Sequence, residues 1–281
     1  MGENSASVYI DPRTDFGFKF LFGTDMNKDL LISFLNALFQ GRHEITDVRY
    51  LKNEHFGAYR EDRRAIFDVY CETEGGERFI VEMQNVFQRF FKDRSVYYST
   101  FPIQEQAQRG NWNFSLSPVY TVGILNFVFD EDRDNPDYFY HEVKLYDVTR
   151  ERVFYDKLTY LYLELPKFTK GIGELETLMD KWVYVLKNLS RLLERPKELQ
   201  ERVFTRLFEA ARIARFDKTA RMAYEESMKN YRDITNAVET ARLEGREEEK
   251  REIALNLKRM GVPVETIAAA LGLSEDEIRD L

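Results

Sequence analysis

The chain is expected to fold as an α/β protein: a mixed sheet flanked by helices, with a helical C-terminal extension. Three observations predict this. Apolar residues at helical spacing open the chain (Phe18, Leu21, Phe22, then Leu30, Leu31, Phe34, Leu35 and Leu38). The stretch from Ala65 to Gln84, AIFDVYCETEGGERFIVEMQ, reads as a β-hairpin at the head of a strand-rich middle. From Gly173 onward the pattern is helical.

Composition sets the frame. At 281 residues the chain holds one catalytic-sized domain and a smaller appendage. Its 43% hydrophobic and 32% charged content is that of a globular protein. The net charge of −8 argues against a general nucleic-acid coat but leaves room for a local basic surface. No apolar run is long enough to cross a membrane and no secretory signal is visible, so no membrane partner is expected. Cys71 is the single cysteine, which fits a reducing cytoplasm. One cysteine and three histidines are too few for a zinc cluster, and neither a Gly-rich phosphate loop nor a Ser-His-Asp triad is present.

In chain order, Asp11-Pro12 and Thr14 or Asp15 open the first helix. Gly23-Thr24-Asp25 divides it, Thr24 or Asp25 caps the second part, and Gly41 ends it. Asp15 and Lys19 stand one turn apart, either as a surface ion pair or overhanging a site. Ile45 to Lys52 reads as a strand. Asn53 to Arg64 is polar and reads as a loop or strand edge, and His55 within it has no second histidine at ligand spacing.

The hairpin follows, with Gly75-Gly76 at its turn, where both glycines can take φ > 0. Asp68 sits in the first arm among Ile66, Phe67 and Val69. Glu82 and Gln84, two apart in the second arm, share one face. A carboxylate in an apolar strand costs several kcal/mol unless it is paired or holds a metal. Two readings are open: a hairpin neutralised by Arg64, Arg78 or Arg94, or a divalent cation shared by Asp68 and Glu82.

Phe87 to Gly110 reads as a helix. Arg94 and Tyr98 share a face of it, with Arg94 as a phosphate clamp or as an ion-pair partner, and Gln104 or Gln108 can face the same cleft. Pro118 to Phe129 reads as a strand buried on both faces. Asp130 to Asp137 is an acidic loop, and Tyr138–Asp147 and Val153–Leu165 add two strands. Helices are expected over Glu174–Leu193, Glu198–Ala214 and Lys218–Glu244. Between Lys187 and Arg221 ten Lys/Arg face five Asp/Glu, a basic surface for DNA or simply a solvated one. Arg251 to Leu281 has the spacing of a helix-turn-helix, with Ser274 and Glu277 as a capping box. Its last helix carries Glu275, Asp276, Glu277 and Asp280 against Arg279 alone, so it reads as a protein-interaction or dimerising tail.

The order of Asp68, a hairpin and Glu82-x-Gln84 is that of PD-(D/E)XK nucleases, with Gln where Lys is usual. Its second part stands in Val81-Glu82-Met83-Gln84, and three further landmarks accompany it: Thr14-Asp15-Phe16-Gly17-Phe18-Lys19-Phe20-Leu21-Phe22-Gly23, Arg94-Ser95-Val96-Tyr97-Tyr98 and Tyr162-Leu163-Glu164-Leu165-Pro166-Lys167-Phe168. On these the chain resembles the Rpn family of recombination-promoting nucleases and transposases, from about Asp11 to the C-terminus.

The resemblance implies a restriction-endonuclease-like αβββαβ core with extra strands. It implies a divalent-metal-dependent DNA endonuclease that promotes recombination or serves mobile elements. Asp68 and Glu82 would hold Mg²⁺ (Mn²⁺ as a second choice), with the Met83 carbonyl as a third ligand. Gln84 would orient a water, Asp15 would be an accessory acid, and Lys19, Arg94 and Tyr98 would face DNA. Gln84 brings no positive charge, which Lys19 or Arg94 would have to supply. The expected division is a nuclease domain over 1–170, a helical extension over 171–245 and a small tail over 246–281, with a homodimer formed through the C-terminal helices. The alternative is a catalytically inactive descendant that binds DNA or protein.

Overall fold

In this computed structural model residues 7–55, 65–107 and 110–281 are described; Arg64, Gln108, most of the polar stretch after Asn53 and the His55 side chain lie outside them. Thr14 starts α1 (Asp15–Phe22): its Oγ1 accepts the Gly17 N–H at 3.0 Å. A Cβ at Gly17 would lie 2.1 Å from the Asp11 carbonyl oxygen, so this turn needs glycine. A short 3₁₀ turn leads into α2 (Lys28–Phe39), whose apolar stripe of Leu30, Leu31, Phe34, Leu35 and Leu38 is buried as its spacing predicts.

The strands follow as β1 (Val48–Tyr50), β2 (Glu54–His55), β3 (Ala65–Ile66), β4 (Val69–Thr73) and β5 (Arg78–Gln84), then α3 (Phe91–Gln104), β6 (Val119–Leu125), β7 (Tyr140–Asp147) and β8 (Arg152–Glu164). Six of them form one mixed sheet in the order β1-β4-β5-β6-β8-β7, while β2 and β3 pair separately. β5, β6 and β8 run parallel and the remaining neighbours antiparallel. β6, central and parallel on both sides, is almost wholly buried, as its apolar run implies.

Two expectations about the hairpin are refined. Only Gly76 takes the left-handed conformation (φ +82°), in a turn closed by the Gly76 N–H to the Thr73 carbonyl at 3.0 Å. The first arm is also broken: β3 and β4 are interrupted at Phe67 and Asp68, where the Phe67 N–H turns to the Asn53 carbonyl at 2.9 Å. Likewise α3 begins at Phe91 rather than Phe87, because a turn closed by Phe91 N–H on Gln88 O precedes it.

Helices cover both faces. Phe79, Val81 and Met83 of β5 point to the core shared with α1, α2, α4 (Leu178–Asn188) and α5 (Arg202–Ala210), centred on fully buried Trp182. Ile80 points the other way, with Phe67, Tyr70 and Phe101, under α3. By strand alternation Glu82 and Gln84 also lie on the α3 side. α4 is shorter than the helix expected over Glu174–Leu193, starting at a capping box between Thr177 and Asp180 and running into a 3₁₀ turn at Leu189.

The last helices are α6 (Lys218–Arg259), α7 (Val264–Leu271) and α8 (Glu275–Arg279). α6 runs unbroken past Glu244, where it was expected to stop. It contains no proline, and Gly245 alone costs the helix only about 1 kcal/mol. The chain divides into two compact units between Met228 and Lys229, a division that α6 runs through. In the first unit the start of α6 anchors α1: the Tyr224 hydroxyl accepts the Asp11 N–H at 2.9 Å and the Ser227 hydroxyl accepts the Phe16 N–H at 3.0 Å. The second has its own small core of Ala254, Ile267 and Ile278, and the Ser274–Glu277 capping box forms as its spacing predicts.

Candidate active site

The register of β4 and β5 pairs Val69 with Val81, so its next step sets Asp68 against Glu82. The break in the first arm lets the Asp68 side chain, instead of its backbone, face β5. Asp68 Oδ2 accepts the Met83 N–H at 2.9 Å, and Glu82 Oε1 stands 3.4 Å from the Asp68 N–H. Asn53 Nδ2 holds the Asp68 carbonyl at 3.1 Å. Two carboxylates are thereby fixed side by side in a half-buried position.

Burial, and then the Asp68 charge, push the Glu82 carboxyl up to about 8; Arg94 pulls the other way. Burial also raises Asp68, against the Met83 N–H and the Lys19 charge, which favour its ionised form. Two half-buried acids side by side make a site that favours a cation.

Three cationic or polar groups close over the pair. Lys19 Nζ on α1 lies 2.5 Å from Asp15 Oδ1 and 3.7 Å from Asp68 Oδ1. Burial works against its charge, but the hydrogen bond and charge of Asp15, with Asp68 and Glu82 beyond, outweigh it and hold the ammonium above its usual value. Arg94 Nη2 donates to Gln84 Oε1 at 2.5 Å and Nη1 to Gln88 Oε1 at 2.5 Å. Its guanidinium lies 5.6 Å from the Tyr98 ring centroid and 5.2 Å from that of Phe91. Gln84 Nε2 donates to the Val86 carbonyl at 2.9 Å, so the amide oxygen is committed to Arg94. The positive charge that Gln84 lacks is thus set against it by Arg94.

The structure gathers Asp68, Glu82, Gln84, Arg94, Tyr98 and Lys19 in one place, and Asp15 joins them through Lys19. Arg78, offered at the sequence level as a neutralising partner, is engaged at the far end of the hairpin with Glu72 and Glu105. Gln88 was not foreseen. It precedes α3 in a turn, and no periodicity in the sequence points it at Arg94.

A second group of potential ligands lies at the end of the sheet. Single atoms of Asp132, His141 and Glu164 stand within 4.8 Å of one another. Glu164 is fully buried; its Oε1 accepts the Phe129 N–H at 2.6 Å and its Oε2 is paired with Lys167 Nζ at 2.6 Å. His141 Nε2 approaches the same oxygen at 3.4 Å. The Lys167 ammonium already supplies the positive charge that a metal would bring there, and the group ties the loop after β6 to β7 and β8.

A mixed sheet flanked by helices, with paired acids on a hairpin beside its parallel strands, defines the PD-(D/E)XK nuclease class. The model of the PD-(D/E)XK nuclease family transposases matches residues 12–241, and the chain belongs to that family. A nuclease- or transposase-related function follows, in a class of enzymes that use divalent metals. No curated protein and no solved structure matches the chain. Among the described residues no helix is long and apolar enough to cross a membrane.

Proposed function

We propose that this chain is a divalent-metal-dependent DNA endonuclease that hydrolyses phosphodiester bonds and promotes recombination or serves a mobile element. The observation that carries this is the half-buried Asp68–Glu82 pair with Lys19 and Arg94 beside it. Asp68 and Glu82 offer hard oxygen donors, which suit Mg²⁺ first and Mn²⁺ second. A bound divalent cation supplies charge for the scissile phosphate and lowers the pKa of a water. The other roles belong to side chains. Arg94, braced on the Tyr98 ring, presents planar donors to a phosphate oxygen. Gln84, held by Arg94 and Val86, has one N–H and one oxygen lone pair left to orient the attacking water. Lys19 carries a second positive charge to the DNA backbone, and Asp15 keeps that ammonium in place. Residues 1–170 carry this chemistry, the helices of 171–245 extend that domain, and the C-terminal helical region forms a homodimer suited to cutting both strands. The buried, free Cys71 is consistent with a cytoplasmic protein.

Incubation of the purified protein with supercoiled plasmid in Mg²⁺, Mn²⁺, Ca²⁺ or EDTA tests this reading. Nicked or linear product is expected in Mg²⁺ or Mn²⁺ and none in EDTA. DNA that is bound yet intact with every metal would establish an inactive descendant instead, and neither binding nor cleavage would move the function to a protein partner.

The same site predicts a pH effect on the metal-free protein. The folded state holds the Glu82 proton up to about pH 8, whereas the unfolded chain releases it near the ordinary carboxyl value. Between those values the native state binds more protons, so stability falls as pH rises. In EDTA, Tm is expected to drop between pH 5 and pH 8. Glu82→Gln flattens that drop and stabilises the protein at pH 8 by about 1–3 kcal/mol, the cost of an uncompensated buried group. A wild-type profile that stays flat would show that the carboxyl is not buried without metal.

A further inference from the structure

Next to the carboxylate pair, at the start of α3, a cavity of about 640 Å³ opens to solvent. Phe90, Tyr97 and Tyr98 line it together with Arg89 and Arg94. We propose that it receives an unpaired nucleobase, so that this site acts on DNA that is single-stranded or flayed where it is cut. The inference rests on the nuclease reading above and adds the class of substrate.

The rings are placed by the helix. Phe90 immediately precedes α3, and its carbonyl accepts the Arg94 N–H at 3.0 Å. Phe90, Arg94 and Tyr97 therefore follow one another at four- and three-residue steps along one stripe. Tyr97 is braced edge-on by Phe101 at 5.2 Å, and Tyr98 by Phe67 at 5.2 Å. Yet Phe90 is 66% exposed and Tyr97 44%. Two braced tyrosines and an exposed phenylalanine beside a polar site mark a binding surface more than a packing defect.

The charges select the occupant. Arg89 lies 5.5 Å from the Phe90 ring centroid, and Arg94 lies over Tyr98. Rings that stack a base beside guanidinium groups that take its phosphate are the two parts of a single-strand site. Against these two arginines the cavity wall carries one acid, Asp93. Arg94 is also bonded to Gln84, so a base in this cavity leaves its own phosphate next to the carboxylates. The volume is within the range of pockets that hold a nucleotide-sized ligand. Paired bases in duplex DNA are stacked inside the helix and reach such rings only after extrusion, so the unpaired strand is favoured.

The test is binding without turnover. A fluorescently labelled oligo-dT and a hairpin duplex of equal length are titrated with the full chain in Ca²⁺ and in EDTA, with a 2-aminopurine oligonucleotide reporting base stacking. The wild type is expected to prefer oligo-dT and to quench 2-aminopurine. Phe90→Ala and Tyr97→Ala, both at exposed positions, are each expected to weaken oligo-dT binding about tenfold, to relieve the quenching and to change duplex affinity less than twofold. Circular dichroism and Tm matching wild type confirm that the variants are folded. Unchanged oligo-dT affinity and quenching in both variants, with DNA still bound, would overturn the base site and leave the nuclease reading standing. Absence of DNA binding by the wild type itself would overturn both.

Discussion

Asp68→Asn and Glu82→Gln each lower plasmid cleavage by at least about 10³-fold, the loss of several kcal/mol of charge stabilisation at the reacting phosphate. The amide variants are the sharper choice. Asp68 Oδ2 is the acceptor for the Met83 N–H, so alanine would strand that donor as well as remove the charge. Asparagine keeps an acceptor at the same position and removes the charge alone. In EDTA, DNA affinity should hold or rise in both variants, because neither adds negative charge to the proposed DNA-facing surface. A rate defect with intact or tighter DNA binding therefore separates lost catalysis from lost binding. Titration of Mg²⁺ by calorimetry should show weakened binding in both. Either amide variant retaining more than a tenth of wild-type cleavage would remove its residue from the metal site.

Lys167→Met destabilises the fold by about 3–5 kcal/mol, the range for removing one partner of a buried ion pair. Glu164 is fully buried, and the Lys167 side chain is only 4% exposed. Lys167 also donates to the Tyr138 carbonyl at 3.1 Å. Its loss leaves the Glu164 carboxylate, fully buried, without its closest cationic partner. Adding Glu164→Gln to Lys167→Met should recover part of the stability, because the amide oxygen still accepts the Phe129 N–H while the stranded charge is gone. Urea unfolding read as the shift in midpoint checks both. A loss under 1 kcal/mol would mean that the Glu164 carboxylate is compensated without Lys167.

Much of the site was legible in the sequence because its signals are local. Asp68 and Glu82 stand out as acids within apolar runs, where a carboxylate needs a partner. The two-residue step from Glu82 to Gln84 sets both on one face of a strand whatever it packs against. A helix start at Thr14 or Asp15, a left-handed glycine in the Gly75-Gly76 turn and Ser274 with Glu277 as a capping box are each signalled within four residues. The alternation of buried helical stripes and strands likewise foretold a mixed sheet with helices on both faces.

What only the tertiary structure decided is non-local. The interruption at Phe67–Asp68 depends on Asn53, which takes the backbone groups that a continuous strand would have paired with its neighbour. Which cation meets which polar group could not be read from chain spacing: Arg94 finds Gln84 across the strand–helix crossing, Lys19 spans from α1 to Asp68, and Arg78 goes to Glu72 and Glu105. Glu164 looked like one more residue of a strand end until β7 and the loop after β6 were folded against it. Periodicity and caps report a residue's own few neighbours, and these determined the elements and the acidic pair. Strand order and the partners of charged side chains follow from how distant segments pack, and that packing placed the compensating charges.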